Sequence, residues 1–164
     1  MIETVNQYAK TYSDPPERER ISGRGLVIED GKILLSYEVN TNVYMSPGGG
    51  LEDGETLEEC CIRELREEAG VNVRTVEHFF VVNEYCFETL YISNYFICEK
   101  TGESKQSLTE TEIEHGITPV WIDIEKAIEI FSDYPNKRED IASLYLREFT
   151  VLNKLKSKYC EQIA

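Results

Sequence analysis

The stretch Gly49–Val71 reads G-G-L-E-D-G-E-T-L-E-E-C-C-I-R-E-L-R-E-E-A-G-V, with eight acidic residues and two arginines. Thr56 is a strong helix N-cap, and Glu59 follows at the capping-box position. Gly70 is placed to end the helix, because glycine adopts the left-handed terminal conformation without a side-chain clash. Between these signals Leu57, Cys61, Leu65 and Ala69, with Ile62 beside them, recur at helical spacing as one apolar stripe. Glu64, Glu67 and Glu68 are spaced i, i+3 and i+4, so their carboxylates share a neighbouring side of the same helix. Like charges that close repel, at roughly a few tenths of a kcal/mol per exposed pair. A hard cation reverses that penalty, and Mg2+ or Mn2+ suits oxygen ligands shared with substrate phosphates. The stretch predicts a helix that docks on a sheet and presents a metal site for phosphate chemistry.

Upstream, Gly23–Glu29 and Lys32–Tyr37 are apolar runs of β character separated by Asp30-Gly31, a hairpin signal. Val43–Met45 is a third short run, and the turn-forming Ser46-Pro47-Gly48-Gly49-Gly50 follows it. Downstream, Val71–Glu77, Phe79–Tyr85 and Leu90–Cys98 read as strands, Lys100–Gly116 as a polar loop and Thr118–Ile122 as a last short strand. Ile124–Phe131 and Glu139–Tyr159 carry helical spacing. Residues 1–20 are polar, with Pro15-Pro16 before Glu17-Arg18-Glu19-Arg20, and read as an N-terminal arm leading into one domain over residues 21–160. This order implies an α/β fold with a mixed sheet flanked by helices.

Composition narrows the function classes. The chain has 164 residues, and its net charge is −14, from 31 acidic and 17 basic residues. Such a surface repels a nucleic-acid backbone and argues against a protein that holds long DNA or RNA, while a small phosphorylated ligand remains compatible if metal ions screen the site. No apolar run approaches the roughly 20 residues that span a bilayer, so no membrane partner is expected. The opening M-I-E-T-V-N-Q-Y-A-K lacks the basic start and apolar core of a signal peptide, and a cytoplasmic location is the expectation. The cysteines Cys60, Cys61, Cys86, Cys98 and Cys160 form no C-x-x-C pair and read as reduced, mostly buried thiols.

The segment resembles the signature of the Nudix hydrolases, G-x5-E-x7-R-E-U-x-E-E-x-G-U with U a bulky aliphatic, at every specified position. Those positions are Gly49, Glu55, Arg63, Glu64, Leu65, Glu67, Glu68, Gly70 and Val71. The resemblance, taken over residues 20–155, implies an α/β/α sandwich whose mixed, mainly antiparallel sheet lies between helices. It also implies divalent-metal-dependent hydrolysis of a nucleoside diphosphate linked to a further group, with Mg2+ or Mn2+ as cofactor. By position, Glu67 and Glu68 resemble the principal metal ligands, and Glu64 resembles a residue that ligates metal or orients the attacking water. The carbonyl of Gly48 is a further ligand candidate, and Arg63 and Glu55 resemble partners that pin the loop to the helix.

Many members of that family draw a further carboxylate from outside the signature. Glu110, Glu112, Glu114 and Glu139 are the candidates, with Glu112 favoured. Arg24 on the first strand is a weaker candidate for a phosphate contact, and His78, His115, Tyr44, Tyr85, Tyr91 and Tyr95 read first as structural. No proline stands in the Tyr85–Glu88 neighbourhood, where ADP-ribose hydrolases of the family often carry one. Tyr85 lies near, though slightly before, a position sometimes linked to dinucleoside polyphosphates. A nucleoside triphosphate, oxidised or not, is the leading substrate by elimination, with a dinucleoside polyphosphate or nucleotide sugar as the alternative. A non-catalytic nucleotide sensor on the same scaffold is the competing class, and the expected state is monomer or homodimer.

Overall fold

The computed structural model describes residues 1–163, and side chains through Tyr159. Cys160 therefore lies outside the described side chains. In chain order the elements are β1 (Glu3–Tyr12), β2 (Arg18–Glu29), β3 (Lys32–Glu38), β4 (Val43–Met45), β5 (Gly48–Gly50), α1 (Leu57–Ala69), β6 (Val71–Phe87), β7 (Thr89–Glu103), α2 (Glu110–His115), β8 (Ile117–Asp123), α3 (Ile124–Ser132) and α4 (Glu139–Ile163). A 3-10 turn at Tyr134–Asn136 joins the last two helices. Asp30 and Gly31 both take positive φ, as a two-residue hairpin needs, and connect β2 to β3.

The sheet runs β1-β6-β7-β2-β3-β4, with β5 on β2 and β8 on β3. β1 with β6 and β2 with β7 are parallel, while the other pairings are antiparallel. Two cores separate the layers. α3 and α4 bury Ala127, Phe131, Tyr145, Val151, Leu152 and Leu155 against Leu26, Ile33, Leu35, Phe80, Val82 and Tyr95 on one face. On the other, α1 buries Cys61, Leu65 and Ala69 against Val27, Leu34, Val71, Val73, Phe96 and Cys98. The expected α/β/α sandwich is the architecture found.

Three expectations are corrected. The polar opening of the chain, read as an arm leading into the domain, forms part of its sheet. Residues 3–12 pair along β6 as the edge strand, alternating exposed Thr4, Asn6 and Tyr8 with half-buried Val5, Gln7 and Ala9. The two strands expected over 71–85 are one strand, because extra residues at Val76 and Phe79 are absorbed as bulges rather than turns. The expected loop over 100–116 instead extends β7 to Glu103 and then forms α2, whose N-cap Thr109 and Glu112 make a reciprocal capping box. Among the described residues, no helix is long and apolar enough to cross a membrane.

Candidate active site

α1 reaches its depth because β2 is glycine where the helix crosses it. A Cβ on Gly25 would lie 2.5 Å from Leu65 Cδ2, and one on Gly23 would lie 2.9 Å from the Leu57 carbonyl oxygen. Thr56 caps the helix with the reciprocal Glu59 contact, and Gly70 closes it in the left-handed conformation. The helix is thereby fixed against β5, with Glu64 over Gly49 and Glu68 bonded to the Gly48 amide, while Glu67 bonds Arg63.

Arg63 is the hub of the loop–helix junction. Its Nε and Nη2 donate to the two oxygens of Glu55 at 2.7 and 2.9 Å. Nη2 also donates to the Gly50 carbonyl at 3.0 Å, and Nη1 donates to Glu64 Oε1 at 2.9 Å and Glu67 Oε2 at 3.2 Å. Bidentate pairing of this kind is geometrically specific. The Arg63 hydrogen bonds hold the Glu55 carboxyl down at about 2. Glu64 moves the other way, because burial raises its pKa against the opposing pull of Arg63. Its carboxylate lies over the glycine loop, where a Cβ on Gly49 would be 2.4 Å from Glu64 Cδ. Gly49→Ala should therefore displace the Glu64 carboxylate and lower turnover by about tenfold or more, as misplacement near a reacting centre does. Thermal melting within a few degrees of the parent, measured beside the activity, separates this from unfolding.

Glu68 is the buried member, 2% exposed. Its Oε2 accepts the Gly48 N–H at 3.0 Å, so Gly48 meets the acidic group here through its amide. Burial raises the Glu68 pKa to about 7, more than the Gly48 hydrogen bond, Ser36 and Arg24 lower it, and Glu112 adds to the rise. Arg24 Nε is buried without a hydrogen-bond partner, while Arg24 Nη1 donates to the Ser46 carbonyl at 2.9 Å.

The geometry gathers some of the sequence candidates and excludes another. Glu112 on α2 is within electrostatic reach of both Glu64 and Glu68, with one carboxylate oxygen taken by the Thr109 N–H at 2.9 Å. Glu139 is removed from the candidates, since its carboxylate binds Thr11 on β1. His115 pairs with Glu38 at 3.1 Å, and His78 stacks on Phe96 and bonds Asn94. Among the described residues, no three acidic, histidine or cysteine side chains already converge as metal ligands. Arg63 stands between Glu64 and Glu67 instead. The donor chemistry nevertheless suits a hard cation: the group is all oxygen, and burial is what raises the pKa of its deepest carboxylate.

Sequence reasoning missed a second ionic group on the other face of the sheet. Arg147 donates to Glu84 at 2.9 Å, to Glu148 at 3.3 Å and to the Tyr95 hydroxyl at 2.7 Å, all of them buried. Glu148 in turn accepts the Ser46 N–H and hydroxyl. Arg147-Glu148 in a helical pattern looks like an ordinary surface pair, and only the long-range partners distinguish it.

A family model described as the NUDIX domain matches residues 19–144. The chain belongs to the Nudix hydrolases. An ADP-ribose pyrophosphatase of Methanocaldococcus jannaschii is 42% identical over 85 residues, covering 43% of this chain and 50% of the relative. An NAD-capped RNA hydrolase NudC of Vibrio atlanticus is 44% identical over 55 residues, covering 32% of this chain and 20% of the relative. The matches thus span between a fifth and a half of these curated relatives. A NUDIX hydrolase from Nitrosomonas europaea superposes with a TM-score of 0.61 at 21% identity, covering 81% of this chain and 89% of that one. An ADP-ribose pyrophosphatase from Streptococcus suis gives 0.58 at 14% identity, with 84% and 91% coverage. These two likenesses carry the fold. Nudix hydrolases generally need divalent metal ions.

Proposed function

We infer that this Nudix hydrolase cleaves a pyrophosphate bond in a nucleoside diphosphate linked to a further group, using Mg2+ or Mn2+, with a nucleoside triphosphate as its first substrate class. The observation that supports this best is the pair of carboxylates set against the glycine loop: Glu68, 2% exposed, accepts the Gly48 N–H at 3.0 Å, and Glu64 lies over Gly49. Glu64, Glu67 and Glu68, with the Gly48 carbonyl and Glu112, would hold the cation. When bound, it neutralises charge on phosphate oxygens and lowers the pKa of a water. The chain's own residues do the positioning. Arg63 ties Glu64, Glu67 and the loop into one unit, and Glu64 orients the attacking water against Gly49. Arg24 Nε is a buried donor left for a phosphate oxygen.

A second substrate, ADP-ribose, is favoured by the 42% identical stretch shared with an ADP-ribose pyrophosphatase. A nucleotide panel with products identified by mass decides between them. A triphosphate yields a monophosphate and pyrophosphate, whereas ADP-ribose yields AMP and ribose 5-phosphate. Chelation by EDTA should remove turnover, and added Mg2+ or Mn2+ should restore it. Ligands bound tightly but returned intact with metal present would instead identify a sensor. The net charge of −14 argues against capped RNA as the preferred substrate, and RNA competing strongly with mononucleotides would reverse that ordering.

A further inference from the structure

Ser46, Pro47 and Gly48 carry the chain from β4 into the glycine loop, and their backbone polar groups are held from three directions. Arg24 Nη1 donates to the Ser46 carbonyl at 2.9 Å, and the Gly25 N–H donates to the Pro47 carbonyl at 3.0 Å. The Gly48 N–H donates to Glu68 at 3.0 Å. The third direction is α4, on the sheet face opposite α1. Glu148 Oε1 accepts the Ser46 N–H at 2.9 Å, and Oε2 accepts the Ser46 hydroxyl at 2.7 Å.

Glu148 is 0% exposed, and Ser46 is equally buried. Its only charged donor among these contacts is Arg147 at 3.3 Å, and Arg147 also serves Glu84 at 2.9 Å. A buried ion pair is weak grounds for stability, since an apolar side chain of similar size often does as well. What an apolar side chain cannot do is satisfy two Ser46 donors at once. Both carboxylate oxygens are engaged, Oε1 by the Ser46 N–H and Oε2 by the Ser46 hydroxyl.

We propose that Glu148 is a positioning residue of the Nudix centre, fixing Ser46 so that the Gly48 amide is delivered to Glu68 and the glycine loop sits at its working depth against α1. The proposal rests on Glu68 being an active-site carboxylate. It distinguishes reach from charge. Glu148→Gln keeps the reach, with its amide oxygen accepting the Ser46 N–H and its NH2 donating to the hydroxyl, but loses the charge. Glu148→Asp keeps the charge facing Arg147 but is one methylene short of Ser46.

The test is amide hydrogen exchange at Gly48, read by NMR on the metal-free chain, beside the Mn2+ dissociation constant, kcat and KM. In Glu148→Asp, Gly48 should exchange about tenfold faster, with Mn2+ affinity and kcat falling by about 10–100-fold, as loss of a ligand's support typically does, and with KM nearly unchanged. Glu148→Gln should lie nearer the parent in every readout. Ser46→Ala removes one contact and leaves the ion pair whole, so it gives a smaller change in the same direction and decides the matter if the aspartate variant does not fold. An ordering in which Asp is closer to the parent than Gln, or Gly48 exchange unaltered in both Glu148→Asp and Ser46→Ala, overturns the proposal. A parent chain that hydrolyses nothing would sink the pyrophosphohydrolase reading alone, because the exchange measurement does not depend on turnover.

Discussion

Glu68→Gln should lower turnover by about a thousandfold and at the same time raise the melting temperature of the metal-free chain above pH 7. The first effect follows from removing ligand charge that supports several kcal/mol of transition-state stabilisation, with about 1.4 kcal/mol for each factor of ten. The second has the opposite sign because the same carboxylate is buried. Its folded pKa stands at about 7 against an ordinary 4.5, so between those values the folded chain keeps a proton that the unfolded chain has released. Stability is therefore favoured at the acidic end of that window and lost as pH rises through about 7, by about 3 kcal/mol in full. Glutamine carries no charge to desolvate and escapes that loss. For a chain of this length the gain is about 5–10 °C. Melting curves in EDTA at pH 6 and pH 8 check it: the parent should fall between the two, and the variant should not. A variant that melts below the parent at pH 8 would show that Glu68 is not held as an uncompensated charge.

Glu67→Gln supplies the contrast. Its side chain is 37% exposed and bonded to Arg63, so the same substitution should reduce turnover without the stability gain. Unchanged activity in both variants would remove the metal site.

The signature helix was legible because its signals are local. Thr56, Glu59 and Gly70 act within a turn or two of themselves, and the spacing of Glu64, Glu67 and Glu68 needs only helical geometry. The Asp30-Gly31 hairpin was legible for the same reason. α2 carried an equally local signal, since Thr109 and Glu112 repeat the capping box of Thr56 and Glu59. It was obscured by the polar residues around it, which read as loop. β1 was hidden for a different reason: an edge strand with one face open to water needs only weak apolar alternation, and Val5, Gln7 and Ala9 provide no more. β6 looked like two strands because bulges break the period-two pattern without ending the strand.

The least legible feature was the buried network, and the second large effect is expected there. Arg147→Met should destabilise the fold by about 3–5 kcal/mol, because it leaves charged partners buried and uncompensated. Glu84 and Glu148 are both within 3.3 Å of the guanidinium and almost wholly buried. Denaturant unfolding of the metal-free chain measures the loss, which should appear as a lower midpoint. If Arg147 acts only by compensating charge, then Glu84→Leu, Arg147→Met and Glu148→Leu combined should recover much of the stability, since no buried charge remains. That recovery would not extend to activity. The triple variant leaves the Ser46 N–H and hydroxyl without the acceptors they have in the parent, at 2.9 and 2.7 Å. A stable but poorly active triple variant would show that the network is kept for the glycine loop, whereas one that is both stable and fully active would reduce it to a dispensable ion pair.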